Sequence, residues 1–407
     1  MLIYLDNQSN TMLDERVLDA TLPYFKEKYG NAQSIYALGA ISKDALDKAR
    51  SQVARLINSN DEEIYFTSCG SESNNLAIKG AAEANKQKGK HIVVSSIEHF
   101  SVLNSAKRLS QNGFEITYLP VDKFGVISIE DLKKSLRSDT ILVSIQHANT
   151  EIGTVQNIEE ISKIVREKNI VFHTDAVQTA GTIPVDVQKL GVDMLTLAGS
   201  AFYGPKGAAV LYVRKGVKIV PQIDGGVQEA GRRAGTENVP AIVGLGKAAE
   251  IALDEMKSNR DKMTRLRDRI MAELPKKIEY VYLNGHPSQR LPNNANFSIE
   301  FVEGEGMFLM LDQKGICVSS GSACASKALK MSHVLTAINC DPSVGQGSIL
   351  MTLSKYNTDK DIDYLLQEFP PIVKKLRDMS PLYDHFIKTG KRQDAGPGTD
   401  YEHEHEE

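Results

Sequence analysis

Cysteine is scarce, with four residues in a chain of 407. So few cannot staple a chain of this length into a disulfide framework. None of them sits in a C-x-x-C pair, so the ligand spacing of a structural zinc site is missing as well. An excess of one charge is lacking too. Lys plus Arg number 48 against 52 Asp plus Glu, a formal net charge of -4, which leaves no electrostatic case for nucleic acid or an anionic membrane as the main partner. No apolar run approaches the roughly 18 residues of a membrane span. The N-terminus carries Asp6 and no basic cluster, unlike a secretory signal. These absences predict a soluble, cytoplasmic protein.

What is present is ordinary globular composition, 41% hydrophobic and 25% charged, in a chain long enough for two or three domains at roughly 100–200 residues each. Short apolar runs alternate with longer amphipathic stretches, the pattern of a βαβ protein with a mainly parallel sheet. Strands are predicted over 63–67, 91–95, 115–119, 141–145, 170–174, 194–197 and 209–213, with helices over 73–87, 100–111 and 158–168. Several of these strands are apolar throughout, as when helices cover both faces of a sheet. One long helical stretch follows from 239 to about 274, mildly interrupted near Ser258. Beyond it come shorter strands (281–283, 296–299, 316–319, 349–352) and two helices. The change of texture divides the chain into a large α/β domain over 16–260 and a smaller α+β domain formed by 1–15 with 261–392. The end, 393–407, is acidic and nearly free of aliphatics, and is expected to be a disordered tail.

Three segments carry chemistry. Thr67-Ser-Cys-Gly-Ser-Glu-Ser-Asn-Asn75 follows a strand and opens a helix, placing Gly70 and Ser71 where backbone N–H groups can cradle a phosphate. Alone, it reads equally well as an ordinary capped helix. Phe172-His-Thr-Asp-Ala-Val-Gln178 sets an acid at the carboxyl end of a buried strand, the edge where ligands of open α/β sheets gather. A carboxylate there can keep a pyridinium nitrogen protonated, although a helix-capping aspartate is a fair competitor. Ser319-Ser-Gly-Ser-Ala-Cys-Ala-Ser326 holds Cys324 in a small, polar loop, the setting of a reactive rather than a structural thiol. Cys69, Cys317 and Cys340 read as core or near-core residues.

Together these segments resemble the cysteine desulfurases, pyridoxal-phosphate enzymes of the class V aminotransferase family. The resemblance spans nearly the whole chain. It includes Tyr4-Leu-Asp-Asn7, residues 67–78, Glu98-His99, Asn149-Thr-Glu-Ile-Gly153, Thr174-Asp-Ala-Val-Gln178, Tyr203-Gly-Pro-Lys-Gly207, Gly231-Arg-Arg-Ala-Gly-Thr-Glu-Asn238 and residues 319–324. It implies the fold of the type I pyridoxal-phosphate enzymes, with a mainly parallel seven-stranded sheet, and a homodimer. By the same resemblance Gly70 and Ser71 bind the cofactor phosphate, with Thr236 supplied across the dimer. His99 stacks on the ring and serves in proton transfer, Asp175 pairs with the ring nitrogen, and Gln178 bonds the ring hydroxyl beside Thr150. Cys324 takes sulfur from L-cysteine as a persulfide.

The departures cluster in the same site. In residues 198–206 Ser200 and Ala201 fall in the cofactor-binding segment, and Ala201 stands where the family has the lysine that links covalently to the cofactor. A methyl group can neither make that bond nor carry the α-proton. Lys206 belongs to the family pattern in addition to that lysine, and a Gly-Pro turn separates the two positions. Leu350 replaces an arginine whose planar fork takes the substrate carboxylate. Thr150 replaces an asparagine, Ala198 a serine that donates to the phosphate, and Tyr36 a common histidine.

The intact Cys324 loop beside a degenerate site leads to one expectation: a desulfurase-fold protein of iron–sulfur cluster assembly whose desulfuration is lost or impaired. It would present Cys324, as sulfur carrier or as metal ligand of an iron–sulfur cluster, to a scaffold protein, and pyridoxal phosphate would be non-covalently held or absent. One alternative is an active cysteine desulfurase in which Ala201 is an introduced substitution; another is a structural dimer without a sulfur role.

Overall fold

The computed structural model describes residues 2–320 and 331–392. Cys324 and the acidic segment 393–407 lie outside the described residues. The strands, in chain order, are β1 (Ile3–Tyr4), β2 (Ile64–Thr67), β3 (His91–Ser95), β4 (Glu115–Leu119), β5 (Thr140–Ser144), β6 (Val171–Asp175), β7 (Met194–Ala198), β8 (Ala209–Val213), β9 (Val281–Leu283), β10 (Asn294–Ile299), β11 (Ile316–Cys317) and β12 (Ser348–Thr352). Seven of them form one sheet in the order β2-β8-β7-β6-β5-β3-β4. Only β8 runs against its neighbours. The mainly parallel seven-stranded sheet predicted from the sequence is therefore present.

Alternation along each strand feeds two helical layers. On β3, Ile92 and Val94 pack with Leu76 and Ala81 of the helix Gly70–Asn85 and with Val102 and Ala106 of the helix Phe100–Gln111. Val93, between them, joins the opposite layer with Phe172, Leu195, and Ile161 and Val165 of the helix Ile158–Glu167.

A second core gathers Ile3 and Leu5 from the N-terminus with Phe297, Ile349, Met351, Leu365 and Phe369. Its sheet has the antiparallel order β12-β10-β9, and β1 pairs in parallel with β11. The helix Val239–Lys277 joins both cores, through Leu245 and Ala249 on one side and Leu266, Ile270 and Leu274 on the other.

Three local expectations are corrected. The long helix is unbroken at Ser258, because the hydroxyl donates to the Glu255 carbonyl at 3.0 Å and folds its polarity back into the helix. The strand expected over 316–319 is only the two-residue β11, with Ser319 bridging Leu350 as an isolated pair. The C-terminal part also holds more than two helices. Gly304–Asp312, Asp359–Asp378 and Pro381–Thr389 are each nine residues or longer, and Pro381 begins the last of them at a position where its missing N–H does no harm. Among the described residues, no helix is long and apolar enough to cross a membrane.

Arg290 stitches the loop after β5 to the second core. It is buried, and its guanidinium donates to the carbonyls of Asn294 (3.1 Å), Asn284 and His286 (both 3.2 Å) and Ile152 (3.1 Å), and to Asn294 Oδ1 (3.0 Å). Arg290→Met keeps most of the volume but strips these buried carbonyls of their donor. It should lower unfolding stability by about 3 kcal/mol or more in a urea titration; a loss under about 1 kcal/mol would show that the carbonyls find other donors.

Candidate functional site

A cavity of about 410 Å³ opens where the parallel strands end. Its walls come from segments that leave the carboxyl ends of β2, β3, β5, β6 and β7, the edge at which an open α/β sheet exposes loop residues and helix N-termini.

The first wall is the start of the helix Gly70–Asn85. Its N-cap, Cys69, offers no side-chain cap, so the first-turn N–H groups are left for a ligand or water. A Cβ at Gly70 would stand 3.0 Å from Val177 Cγ2, which makes glycine the residue that fits between the helix end and the loop after β6. Ser71 follows it into the cavity. Asp175 ends β6, and its carboxylate accepts from Asn74 Nδ2 at 2.7 Å and from the Val177 backbone at 3.0 Å.

The N-terminal segment closes another side. Gln8 accepts from Gln178 Nε2 through its carbonyl at 3.2 Å and from Thr150 Oγ1 through its side chain at 3.0 Å. The Thr11 backbone and hydroxyl both donate to the Ser200 carbonyl at 3.0 Å, pinning the short turn Gly199–Ala201. Ala201 thus presents a methyl group to the cavity from a fixed position.

His99 is oriented by helix capping. The Ser101 backbone N–H donates to its Nδ1 at 3.1 Å. A backbone amide can only donate, so the neutral ring carries its proton on Nε2.

Two buried carboxyls and a second histidine also line the cavity. Glu98 is fully buried; its Oε1 accepts from Ser95 Oγ at 2.7 Å and from the Gln146 backbone at 2.8 Å. Burial, with the charge of Asp175 adding to it, pushes this carboxyl up to about 8. Burial raises Glu151 to about 7 against the opposing hydrogen bond from Ser332 Oγ at 2.6 Å. His333 donates from Nε2 to the Glu98 carbonyl at 3.0 Å and packs on Phe100 with ring centroids 4.7 Å apart. Glu98 Oε2, Glu151 Oε1 and Asn74 Oδ1 have no hydrogen-bond partner among the described residues.

The structure therefore brings together eight residues singled out in the sequence: Gly70, Ser71, His99, Thr150, Asp175, Gln178, Ser200 and Ala201. Thr236 lies apart, exposed on the loop before the long helix. Lys206 is exposed and does not line the cavity. Leu350 is completely buried in β12, opposite Asn296. Cys69 is a correction: expected near the core, it is exposed, because it sits in extended backbone at the mouth of the cavity, one residue beyond the packed helix. Cys317 and Cys340 are half-buried. Sequence reasoning missed His333 and Gln8 as wall residues, and noted Asn74, Glu98 and Glu151 only as letters of a motif. No periodicity marks them, since each is placed by a contact far along the chain.

The proton on Glu98 has a consequence for stability. The folded chain keeps it, whereas the unfolded chain releases it near 4.5, so this contribution is complete at low pH and is lost as pH rises from about 4.5 to about 8. Glu98→Gln stays neutral across that window. Between about pH 5 and about pH 8 the variant should lose roughly 3–4 kcal/mol less stability than the parent, read from urea unfolding at both values. Parallel pH profiles for the two proteins would mean that Glu98 ionises freely.

Comparison with known proteins gives one answer. The sequence pattern of the aminotransferase class-V family matches residues 3–365. The chain is 52% identical to the cysteine desulfurase IscS of Methanosarcina thermophila over 380 residues, 93% of this chain and 94% of that protein. It is also 52% identical to the cysteine desulfurase IscS of Dictyoglomus turgidum over 379 residues, 93% and 96% of the two chains. Among solved structures it superposes on a NifS-like protein with a TM-score of 0.87 at 39% identity, covering 92% of this chain and all of that one. A NifS-like protein from Rickettsia africae gives a TM-score of 0.84 at 32% identity, with the same coverage. The fold, the matched span and these identities place the chain in the class V aminotransferase family, among the cysteine desulfurases.

Proposed function

We propose that this chain is a sulfur-handling protein of iron–sulfur cluster assembly whose own cysteine desulfuration is lost or impaired. Cys324 is its working group, a sulfur carrier or cluster ligand offered to a scaffold protein. The observation that carries this reading is the cavity wall at Ala201: among the described residues that line the cavity there is no lysine and no arginine. By the family resemblance Leu350 takes the position of an arginine for the substrate carboxylate, and here it is an apolar residue buried in β12 that does not line the cavity. The names of the IscS relatives support the assignment to cluster assembly.

The family's cofactor is pyridoxal 5'-phosphate, and the cavity fits it in part. The uncapped helix start at Gly70 and Ser71 suits a phosphate, Asp175 suits a protonated ring nitrogen, Gln178 and Thr150 suit a ring hydroxyl, and His99 suits a ring face. The covalent link does not fit, because Ala201 has no amine. When bound, the pyridine ring supplies an electron sink for chemistry at an amino-acid α-carbon. Asp175 would hold the positive end of that ring, and His99 would offer its Nε2–H from an orientation fixed by Ser101. None of these side chains replaces a lysine amine as the carrier of an α-proton.

The exposed Thr236 loop supports the reading that the chain works as a homodimer, each copy contributing Thr236 to the other's phosphate site. The two separate cores support the division into a large domain over 16–260 and a smaller one formed by 1–15 with 261–392, which carries the Cys324 loop. The cytoplasm suits a thiol that must stay reduced.

Supplied with pyridoxal phosphate, the chain should form alanine from L-cysteine at least about a thousandfold more slowly than the Methanosarcina relative. Robust turnover would overturn the proposal. Recovery of full turnover in Ala201→Lys alone would favour an active enzyme altered at one position, whereas continued inactivity would place the loss at Leu350 and Thr150 as well. Separately, Cys324→Ser should abolish sulfur or cluster transfer to a scaffold while sedimentation still reports a dimer. Undiminished transfer would show that Cys324 is not the working group and overturn its role here; no transfer by the parent either would leave the structural-dimer reading.

A further inference from the structure

We infer that Glu229 is a positioning residue, holding the loop 225–238 in a strained shape that is ready to receive a second copy of the chain. The inference rests on the homodimer reading and goes beyond it by naming the side chain that shapes the contact.

The backbone of this loop turns in an uncommon way. Glu229 has φ 47° and ψ 47°, Ala230 has φ 53° and ψ 35°, and Gly231 has φ 74°. Three successive residues are left-handed, and two of them carry side chains. That region costs a residue with a Cβ roughly tenfold in population, and such residues visit it singly rather than in runs. Glycine serves at 231 without the cost. Left to itself, the chain at 229 and 230 would turn the other way, and the residues that follow would be redirected.

The Glu229 side chain, only 3% exposed, opposes that tendency. Its two carboxylate oxygens accept from Arg50 Nη1 at 2.9 Å and Nη2 at 2.8 Å, and one of them also accepts from the Phe66 N–H at 2.8 Å. Arg50 belongs to the helix Ala37–Ile57 and Phe66 to β2, an edge strand of the large sheet. One side chain thus ties an exposed loop to two packed elements. The Arg50 guanidinium is itself held, donating to the Ile64 carbonyl and lying 4.7 Å from the centre of the Phe66 ring. A two-pronged charged contact shielded from water is among the stronger hydrogen-bonded pairs, strong enough to hold a strained turn. Ala230 adds no packing of its own, since it is exposed.

Around the turn the loop is closed and pinned. A Cβ at Gly225 would stand 2.9 Å from Ala234 Cβ, so the two arms touch, and the Gly235 N–H donates to Gln228 Oε1 at 3.1 Å. Arg233 Nε donates to Glu72 at 2.8 Å, and Glu237 accepts from Gln33 Nε2 at 3.0 Å. The outer side is nonetheless uncovered. Val227 is 78% exposed, Ile223 and Thr236 are exposed as well, and so are Ile35 and Tyr36 in the segment that Gln33 ties to the loop. Apolar side chains held out by an anchored loop suit a partner surface better than water. A loop already in its bound shape loses little conformational entropy when that partner docks. The homodimer reading sets Thr236 of this loop against the neighbouring copy, so the partner is a second copy of the chain and the contact is reciprocal.

The test is the dimer dissociation constant of the full-length chain, read by sedimentation of a fluorescently labelled sample over a dilution series. Glu229→Gln keeps the size of the side chain but gives Arg50 an N–H in place of one acceptor. It should raise the constant at least about tenfold, the cost of one left-handed residue. Adding Ala230→Gly should recover at least about threefold, because glycine takes the left-handed shape freely. Loss of an ion pair that serves packing alone would not be repaired at an exposed position. A smaller rise in Glu229→Gln, or a smaller recovery on adding Ala230→Gly, overturns the inference while the homodimer reading stands. If circular dichroism shows Glu229→Gln to be unfolded, Ala230→Val in the parent decides, since it leaves the clamp intact while its branched side chain resists positive φ. A dimer weakened at least about threefold is then expected, and a smaller effect overturns the inference. A parent chain that sediments as a monomer at tens of micromolar overturns the homodimer reading, and the inference with it.

Discussion

One helix decides where everything else can sit. Val239–Lys277 has 39 residues, about 58 Å of rigid rod at 1.5 Å per residue. Its first half is a face of the large sheet's core and its second half a face of the other core, so neither can be packed without fixing the other. Its composition allows this double use. Small residues fill the first half, where Gly246 lies so close to the helix Ala37–Ile57 that a Cβ would meet Ala49 Cα at 2.6 Å. Larger Met263, Leu266 and Ile270 serve the second half, where sheet and helices leave more room.

With both cores fixed, the chain between them becomes a wall. Ile3 and Leu5 are anchored in the second core, yet three residues later Gln8 touches Thr150 and Gln178, and Thr11 holds the turn that carries Ala201. The cavity is thus lined by the large sheet's loops and closed by a strap whose anchor lies in the other core. His333 and Ser332, also from the C-terminal part, reach Glu98 and Glu151 from a third direction. That enclosure is the physical reason why burial raises both glutamates: each is walled in by the large sheet's loops and by the C-terminal part of the chain, and water cannot solvate the charge.

The sequence was most legible where periodicity alone decides structure. Strands over 91–95, 115–119 and 209–213 have the predicted bounds; in the first and last of them every residue is buried, as runs such as Ile92-Val-Val94 require. Gly70 and Asp175 were legible as candidate wall residues because they lie where strands end, and the carboxyl edge of a parallel sheet converges on one place; Ala201 was legible only through the family resemblance. Contacts that bridge hundreds of positions were not legible. Nothing near Arg290 foretells that its donors end on the Ile152 carbonyl, and nothing near Asn74 foretells that its amide is consumed by Asp175. Cys69 failed for a local reason: a thiol between a buried strand and a buried helix looks internal until the backbone, extended at the N-cap, turns it outward.

Why the fold accommodates Ala201 and Leu350 follows from the same division. A lysine inside this cavity and an arginine at the position of Leu350 would each have to be desolvated and paired, at an energy that the fold must supply. Leu350 instead buries an aliphatic side chain completely, worth about 1.5–3 kcal/mol. Ala201 occupies a pinned turn without any desolvation. Neither side chain asks the fold to bury a charge. The walls that remain are a different matter. Asn74, Glu98 and Glu151 each bury an oxygen that has no partner among the described residues, which is rare for buried polar atoms. The same packing that accommodates Ala201 and Leu350 without a buried charge therefore leaves these three oxygens as the unsatisfied part of the wall.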